Sequence, residues 1–374
     1  AVRSVQSALA IAVDHASRRG LDAGLATVAA LAAADQWTVS GLDAYRPLYR
    51  IALNDRPGTE LYVSAATGEV VRDTTRRERG WNYAGSIAHW IYPTVLRGRP
   101  ALWQMVVWTL SLLGVVTAAA GIALGLARIR FERGRPVSPF AGWQAWHHGV
   151  GLVCMVFVLT WIFSGWLSLD QGLLFSNTRL SDTERLRIGG TPAWRIDAGE
   201  LRRITPHAKE VEWFAFDGRL YRRERLTPQS QRLFLSGSDD PPRAFLSAAE
   251  ADAAVGRIAS GCKAAVPIAA HDVLAPESSV PDAPVYRVVC GDVWLHVDGA
   301  SGMMLERLDG SQRAYRSLFG ALHRLDVPML AARPGLRSAL MVLLCGLGLA
   351  FSLTAMVIAW ARLRSDIRSM RFEG

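Results

Sequence analysis

Residues His89-Trp-Ile-Tyr-Pro-Thr-Val-Leu-Arg-Gly-Arg-Pro100 lead into an uncharged apolar run, Ala101 to Ala127. The same arrangement recurs 234 residues later, where His323-Arg-Leu-Asp-Val-Pro-Met-Leu-Ala-Ala-Arg-Pro334 leads into the run Leu336 to Trp360. In both, ten residues separate the histidine from the proline. The self-match is ungapped from Tyr62 to Arg130. Val63, Ala66, Gly68 and Arg79 match Val297, Ala300, Gly302 and Arg313; Leu110, Leu113 and Gly114 match Leu344, Leu347 and Gly348. The copies close on Ala127-Arg-Ile-Arg130 and Ala361-Arg-Leu-Arg364. One register held over this distance predicts a duplicated structural unit.

The apolar residues gather in three runs, Ala101 to Ala127, Val150 to Leu169 and Leu336 to Trp360, whose one charge is Arg337 at the start of the third. Each is long enough to cross a hydrocarbon core of about 30 Å as a helix. Pro100 and Pro334 stand where a first-turn proline is tolerated, because that position has no intrahelical partner for an N–H. The short connection Arg128-Ile-Arg-Phe-Glu-Arg-Gly-Arg135 and the tail Arg362 to Arg371 are rich in arginine, which places them on the cytoplasmic side. The domain-sized segments 1–100 and 170–333 then fall outside. Net charge is +9, but this excess reads as a topology signal; no basic, aromatic surface points to nucleic acid. With 234 subtracted, the helix led by His147-His148 has its counterpart before residue 1. The expectation is therefore a parent protein with a further N-terminal signal-anchor helix, a cleaved signal peptide being the alternative.

Each external segment shows an amphipathic helix followed by about three strands. In the first these are Val5 to Ser17, then Trp37-Thr-Val39, Leu48 to Ala52 and Glu60 to Val63, with turns at Asn54-Asp55 and Thr67-Gly68. In the second they are Ser247 to Ile258, then Val266 to Ala270, Val285 to Val289 and Val293 to Val297, turning at Ser301-Gly302. Tyr49-Arg50 and Tyr286-Arg287 correspond with an extra shift of three, so one hairpin differs in length. Ser176 to Pro242 has no counterpart, and Val211 to Leu226 reads as an added hairpin turning at Asp217-Gly218. Cys154 and Cys345 lie in spans as packing residues. Cys262 and Cys290 lie outside, where an oxidising periplasm permits either a disulfide or two buried thiols. No CxxCH motif occurs, so covalent haem attachment has no support.

The predicted fold is a membrane α-helical bundle plus α+β periplasmic domains in a parallel internal repeat, each copy a helix with three strands followed by a transmembrane helix. Its segments are a first domain (1–80), an interfacial connector (81–100), a span (101–127), a cytoplasmic loop (128–142), a span (143–169), a periplasmic insertion (170–245), a second domain (246–313), a connector (314–333), a span (334–361) and a cytoplasmic tail (362–374).

Tyr62-Val-Ser-Ala-Ala-Thr-Gly-Glu-Val70, His89-Trp90, Trp146-His-His-Gly-Val-Gly-Leu152 and Leu322-His-Arg-Leu-Asp326, in this order, resemble the PepSY-associated transmembrane family over nearly the whole chain. That resemblance makes the external domains PepSY-like. It is greatest to the branch of inner-membrane haem proteins that reduce ferric siderophores in the periplasm. The family normally begins with a His-led helix, which this chain lacks.

Parallel spans put the axis of the repeat along the membrane normal, so His89 and His323 are expected at equal depth near the outer face. Two imidazoles across such an axis are what a six-coordinate haem iron needs; the plainer reading is a pair of interfacial histidines bonded to backbone. His147 and His148 open the middle span at its inner end. Neighbours on a helix diverge by about 100°, so one of them at most faces a given axial site. The family pattern places its histidine four residues before a glycine, which selects His147 (Gly151 follows by four) with His148 second. Both also fit as interfacial groups beside Trp143 and Trp146. His15, His207, His271 and His296 are read as surface or sheet residues. No HExxH, phosphate loop or paired carboxylates appear.

Trp81, Tyr83, Trp90 and Tyr92 are candidates for docking a bulky ligand, with Arg97 and Arg99 attracting an anionic chelate; the alternative is the aromatic belt any span carries. The resemblance implies an enzyme: a haem b oxidoreductase, with two haems in the complete protein, taking electrons from a quinol or a cytoplasmic reductase and reducing ferric siderophore. Its partners are that siderophore, the electron donor and membrane lipid. The rival is a membrane-anchored module that binds peptides or regulates periplasmic proteases without redox activity.

Overall fold

The computed structural model describes residues 4–32, 34–170, 174–176, 180–192, 196–227, 229–269 and 272–372. The fold is mixed: antiparallel sheets accompany three helices long and apolar enough to cross a membrane. These spans are Pro100–Ala127, Gly142–Leu167 and Pro334–Phe372. By contacts the chain divides into two compact units, Ala1–Gly114 and Val115–Gly374.

In the first unit, helix Val5–Arg18 is capped by Ser4, whose hydroxyl accepts from Ser7 N–H at 3.1 Å. It buries Ala8, Ala12 and Ala16, one stripe of small side chains that lets the helix lie close to Tyr49, Ile51, Leu61 and Val63. The sheet beneath has order β1 (Thr27–Ala32), β2 (Leu48–Ala52), β3 (Glu60–Ser64), β4 (Val70–Thr74). The strand expected at Trp37–Val39 is a turn. Asp35 Oδ1 accepts from the N–H groups of Trp37 and Thr38, both at 3.0 Å, and from the Thr38 hydroxyl at 2.9 Å, and this side-chain competition with the ladder breaks the strand. The outer strand is instead the alanine-rich Thr27–Ala32, whose weak β-propensity hid it.

In the second unit, span one ends at Ala127 and a small hairpin, β5 (Arg130–Glu132) and β6 (Arg135–Val137), leads to span two. This replaces the loop expected at 128–142. The corresponding residues after span three contain no Gly or Pro up to Phe372 and stay helical, so the expected tail from 362 continues the helix to Phe372. At 1.5 Å per residue its 39 residues run about 58 Å, well beyond a bilayer core.

The part of this unit between spans two and three holds two sheets. The first is β7 (Glu210–Phe216), β8 (Arg219–Thr227) and β9 (Ser230–Leu235), the expected hairpin at Asp217-Gly218 with one strand more. The second has order β10 (Val266–Pro267), β11 (Val285–Cys290), β12 (Val293–Asp298), β13 (Met304–Leu308). Phe216, Tyr221 and Leu233 from the first share one core with Ala251, Ala254 and Val255 of helix Ala248–Gly256 and with Val288, Leu295 and Val297 of the second. The predicted strand to Ala270 shrinks to two residues; Ala270 itself lies outside the described residues. Cys262 and Cys290 are joined in a disulfide, while Cys154 is buried as a free thiol.

The last strand pairs of the two four-stranded sheets, β3–β4 and β12–β13, are related by one offset, while the preceding strands β2 and β11 carry the extra shift of three (Leu48↔Ser64 against Val285↔Asp298). Glu60↔Thr74, Leu61↔Asp73, Tyr62↔Arg72 and Val63↔Val70, raised by 234, are Trp294↔Leu308, Leu295↔Arg307, His296↔Glu306 and Val297↔Met304, with the bulge at the same step. The helices carrying His89 and His323 end alike too, on Ile91 (φ 50°) and Leu325 (φ 55°), both left-handed.

Candidate functional site

The second unit brings two of the candidate histidines against hydroxyl groups of neighbouring spans. His147, in the first turns of span two, points Nδ1 at Thr354 Oγ1 of span three, 2.9 Å away. Thr354 is buried and donates its own hydroxyl hydrogen back to the Phe351 carbonyl at 2.7 Å. With that hydrogen committed, Thr354 Oγ1 accepts, so Nδ1 of His147 carries the proton and Nε2 carries the lone pair. The imidazole stacks on Phe351, centroids 4.5 Å apart and planes 15° from parallel. Gly151, one turn on, makes room for that ring: a Cβ there would meet Phe351 Cε2 at 3.0 Å.

His323 repeats the arrangement at the other end of span two. It lies in the last turn of helix Gly310–Arg324, which packs on span two. Its Nδ1 meets Ser164 Oγ at 3.1 Å, and Ser164, 1% exposed, donates to the Trp161 carbonyl at 3.1 Å. By the same reasoning His323 is the Nδ1–H donor. It stacks on Phe319, centroids 4.9 Å apart, as His147 stacks on Phe351. Seventeen helical steps of span two lead from His147 to Ser164, which places the two imidazoles about 25 Å apart along the helix.

His148 is different. Nε2 lies 2.9 Å from the Gly125 carbonyl, which only accepts, so Nε2 bears the proton; Nδ1 takes the Ser138 hydroxyl at 2.9 Å. Both nitrogens are used, and the ring is buried with Phe140 edge-on at 5.3 Å. This histidine fastens the loop after span one to the bundle and has no lone pair left for a metal.

His89 lies in the first unit, exposed on the short helix Ala88–Trp90. Trp103 N–H reaches the Trp90 and Ile91 carbonyls at 3.2 and 3.1 Å, fastening this connector to the start of span one. Trp81, Tyr83 and Trp90 present large exposed ring surfaces, Tyr83 also meeting Trp37 edge-on at 5.3 Å. Tyr92 is half-buried and gives its carbonyl to Gln36. Arg97 lies over the Trp103 ring at 4.4 Å, so this guanidinium is partly committed to the start of span one, whereas Arg99 is exposed.

Of the lower-ranked histidines, His296 is buried in the second sheet, accepting from Arg287 Nε at 3.0 Å with Glu306 on its other side. His15 contacts Arg19 on the first helix, and His271 lies outside the described residues. Thr354, Ser164, Phe351 and Phe319 are the functional candidates that sequence reasoning missed. A hydroxyl inside an apolar span was the available signal, since such groups bond across helices.

Among the described residues no cluster of three or more His, Cys, Asp or Glu could hold a bare metal ion. The donor set suits a metal that arrives with most of its ligands supplied, because haem leaves only axial positions open. A neutral imidazole fixed through Nδ1–H is the form in which histidine ligates, its basicity raised by that hydrogen bond. Comparison with protein families, curated proteins and solved structures finds no match to this chain.

Proposed function

We propose that this chain is a haem b oxidoreductase of the bacterial inner membrane that carries electrons across the bilayer and reduces ferric siderophore in the periplasm, releasing Fe(II). The observation that carries the reading is the pair of anchored imidazoles, His147–Thr354 and His323–Ser164, one near each end of span two. When bound, haem supplies the one-electron chemistry. The protein's part is to fix ring orientation and tautomer, to bury the anchors away from water and to stack an aromatic ring against each imidazole. On this reading His323, whose sequence counterpart is His89, serves the outer site. His147 serves the inner one with a histidine from elsewhere, and His148 serves neither.

The offset of 234 shared by the β3–β4 and β12–β13 pairings supports a parallel duplication, and the arginine enrichment of the hairpin and the helix end favours the cytoplasm for them and the periplasm for the sheets. Reduction to Fe(II) weakens a chelate built from hard oxygen donors, since these favour the higher charge. A quinol or cytoplasmic reductase is the donor in this scheme. The exposed rings of Trp81, Tyr83 and Trp90, with Tyr92, Arg97 and Arg99 near the start of span one, are where the chelate would dock.

Haem content of purified variants tests the reading. His147→Ala and His323→Ala should each lose haem, whereas His148→Ala should keep it at some cost in stability. Equal haem in all three would remove the ligand assignment.

A further inference from the structure

The hairpin between spans one and two is built more firmly than a bare connection needs. It turns on Arg133 (φ 49°) and Gly134 (φ 76°), the two left-handed residues of a type I′ turn. His148 bolts it down, taking the Ser138 hydroxyl on its return side and holding the Gly125 carbonyl near the end of span one. With three residues in each strand, the tip stands on the order of 10 Å from the helix ends, about one Debye length at physiological salt.

Arg128, Arg130 and Arg133 are exposed, and none of them forms an ion pair with a described residue. Glu132 is the one acid between residues 128 and 137. Beside these arginines lie large exposed rings, Phe131 on the hairpin at 73% exposure and Trp143 and Trp146 in the first turns of span two.

We propose that this hairpin is a docking site for anionic phospholipid headgroups, Arg128, Arg130 and Arg133 taking the phosphate while Phe131, Trp143 and Trp146 sit at the headgroup level. Two observations select lipid over a soluble partner. The segment joins two membrane-length helices directly, so it cannot leave the bilayer surface, and its uncompensated positive charge faces a surface that is negative. An arginine-rich loop that served only to set topology during insertion would need neither a fixed turn nor a buried histidine bolt. The site depends on the membrane placement of the spans and not on haem.

Each cation near an anionic surface favours binding roughly fivefold. Three cations opposed by Glu132 and screened by salt should give on the order of a tenfold preference. The test is native mass spectrometry of the full chain extracted from vesicles of phosphatidylcholine mixed with phosphatidylglycerol, scoring which lipid is retained. Wild type should retain phosphatidylglycerol about tenfold over its share. The preference should fall in high salt, should survive Arg128→Lys/Arg130→Lys/Arg133→Lys, and should vanish in the triple Gln variant. Retention of both lipids in proportion to their supply, or an unchanged preference in a triple Gln variant that still elutes as a folded species, would overturn the site. Competition by inorganic phosphate at equal concentration would show a plain anion site and overturn the lipid assignment. Haem content is not read in any arm, so a failure here leaves the redox reading standing and a failure there leaves this one.

Discussion

Replacing Thr354 by valine keeps the side-chain volume and removes one oxygen, the acceptor 2.9 Å from His147 Nδ1. A cross-helix hydrogen bond inside a membrane bundle contributes about 0.6 kcal/mol on average, and leaving a buried N–H without a partner costs about 1–3 kcal/mol. A net loss of about 1 kcal/mol of stability is expected. The effect on haem should be larger, because the hydrogen bond also sets which nitrogen carries the lone pair; losing such an outer partner typically lowers affinity about 10- to 100-fold. Ser138→Ala is the matched control. It deletes a hydroxyl at the same 2.9 Å from a neighbouring histidine, but one whose nitrogens are both committed to protein. Titrating apo-protein with haem and following the Soret band should show Thr354→Val weakened at least about tenfold and Ser138→Ala unchanged, with similar small losses in thermal stability. Equal haem affinity in the two variants, or a greater loss in Ser138→Ala, would refute the tautomer argument.

Other perturbations probe the domain between spans two and three. Gly302→Ala puts a Cβ 2.5 Å from Phe216 Cδ2 at a residue with φ +71°, so strain and overpacking together should cost at least about 2 kcal/mol and lower the melting temperature. Burial pushes the Glu250 carboxyl up, but hydrogen bonds from Arg243, Tyr221 and Ser247 outweigh it and bring the group down to about 2. A depressed pKa stabilises above the unfolded value near 4.5 and is lost as pH falls from there towards 2. Discounted for the half-exposed Arg243, it amounts to about 2 kcal/mol. Acid titration by circular dichroism should therefore show a wild-type loss in that window that Glu250→Gln lacks. Reducing Cys262–Cys290, whose closed loop spans 28 positions, should cost about 3 kcal/mol in chemical denaturation.

The parts of the fold that repeat with a strong physical period were legible in the sequence. Apolar runs of membrane length, uncharged but for Arg337 at the start of the third, gave all three spans, and the Asp217-Gly218, Thr67-Gly68 and Ser301-Gly302 turns follow from glycine at positive φ. Thr27–Ala32 was not legible, because alanine says little about strands, and Trp37–Val39 misled because the Asp35 side chain competes for its backbone. At the site, sequence could nominate His147, His148 and His323 but could not give ring orientation. Distinguishing His147 from His148 on physical grounds needs the Thr354 hydroxyl from 207 residues away and the Gly125 carbonyl, contacts no local pattern contains. Glycine at position 151 was visible as spacing; its physical reason, room for Phe351, was not.

The central claim, that the anchored histidines hold haem, is tested most directly by a reduced-minus-oxidised absorption spectrum of the detergent-purified full chain produced with ample haem. The account predicts a Soret and α-band difference of bis-histidine b-type haem that is diminished in His323→Ala and in His147→Ala. A featureless spectrum from folded protein would contradict it.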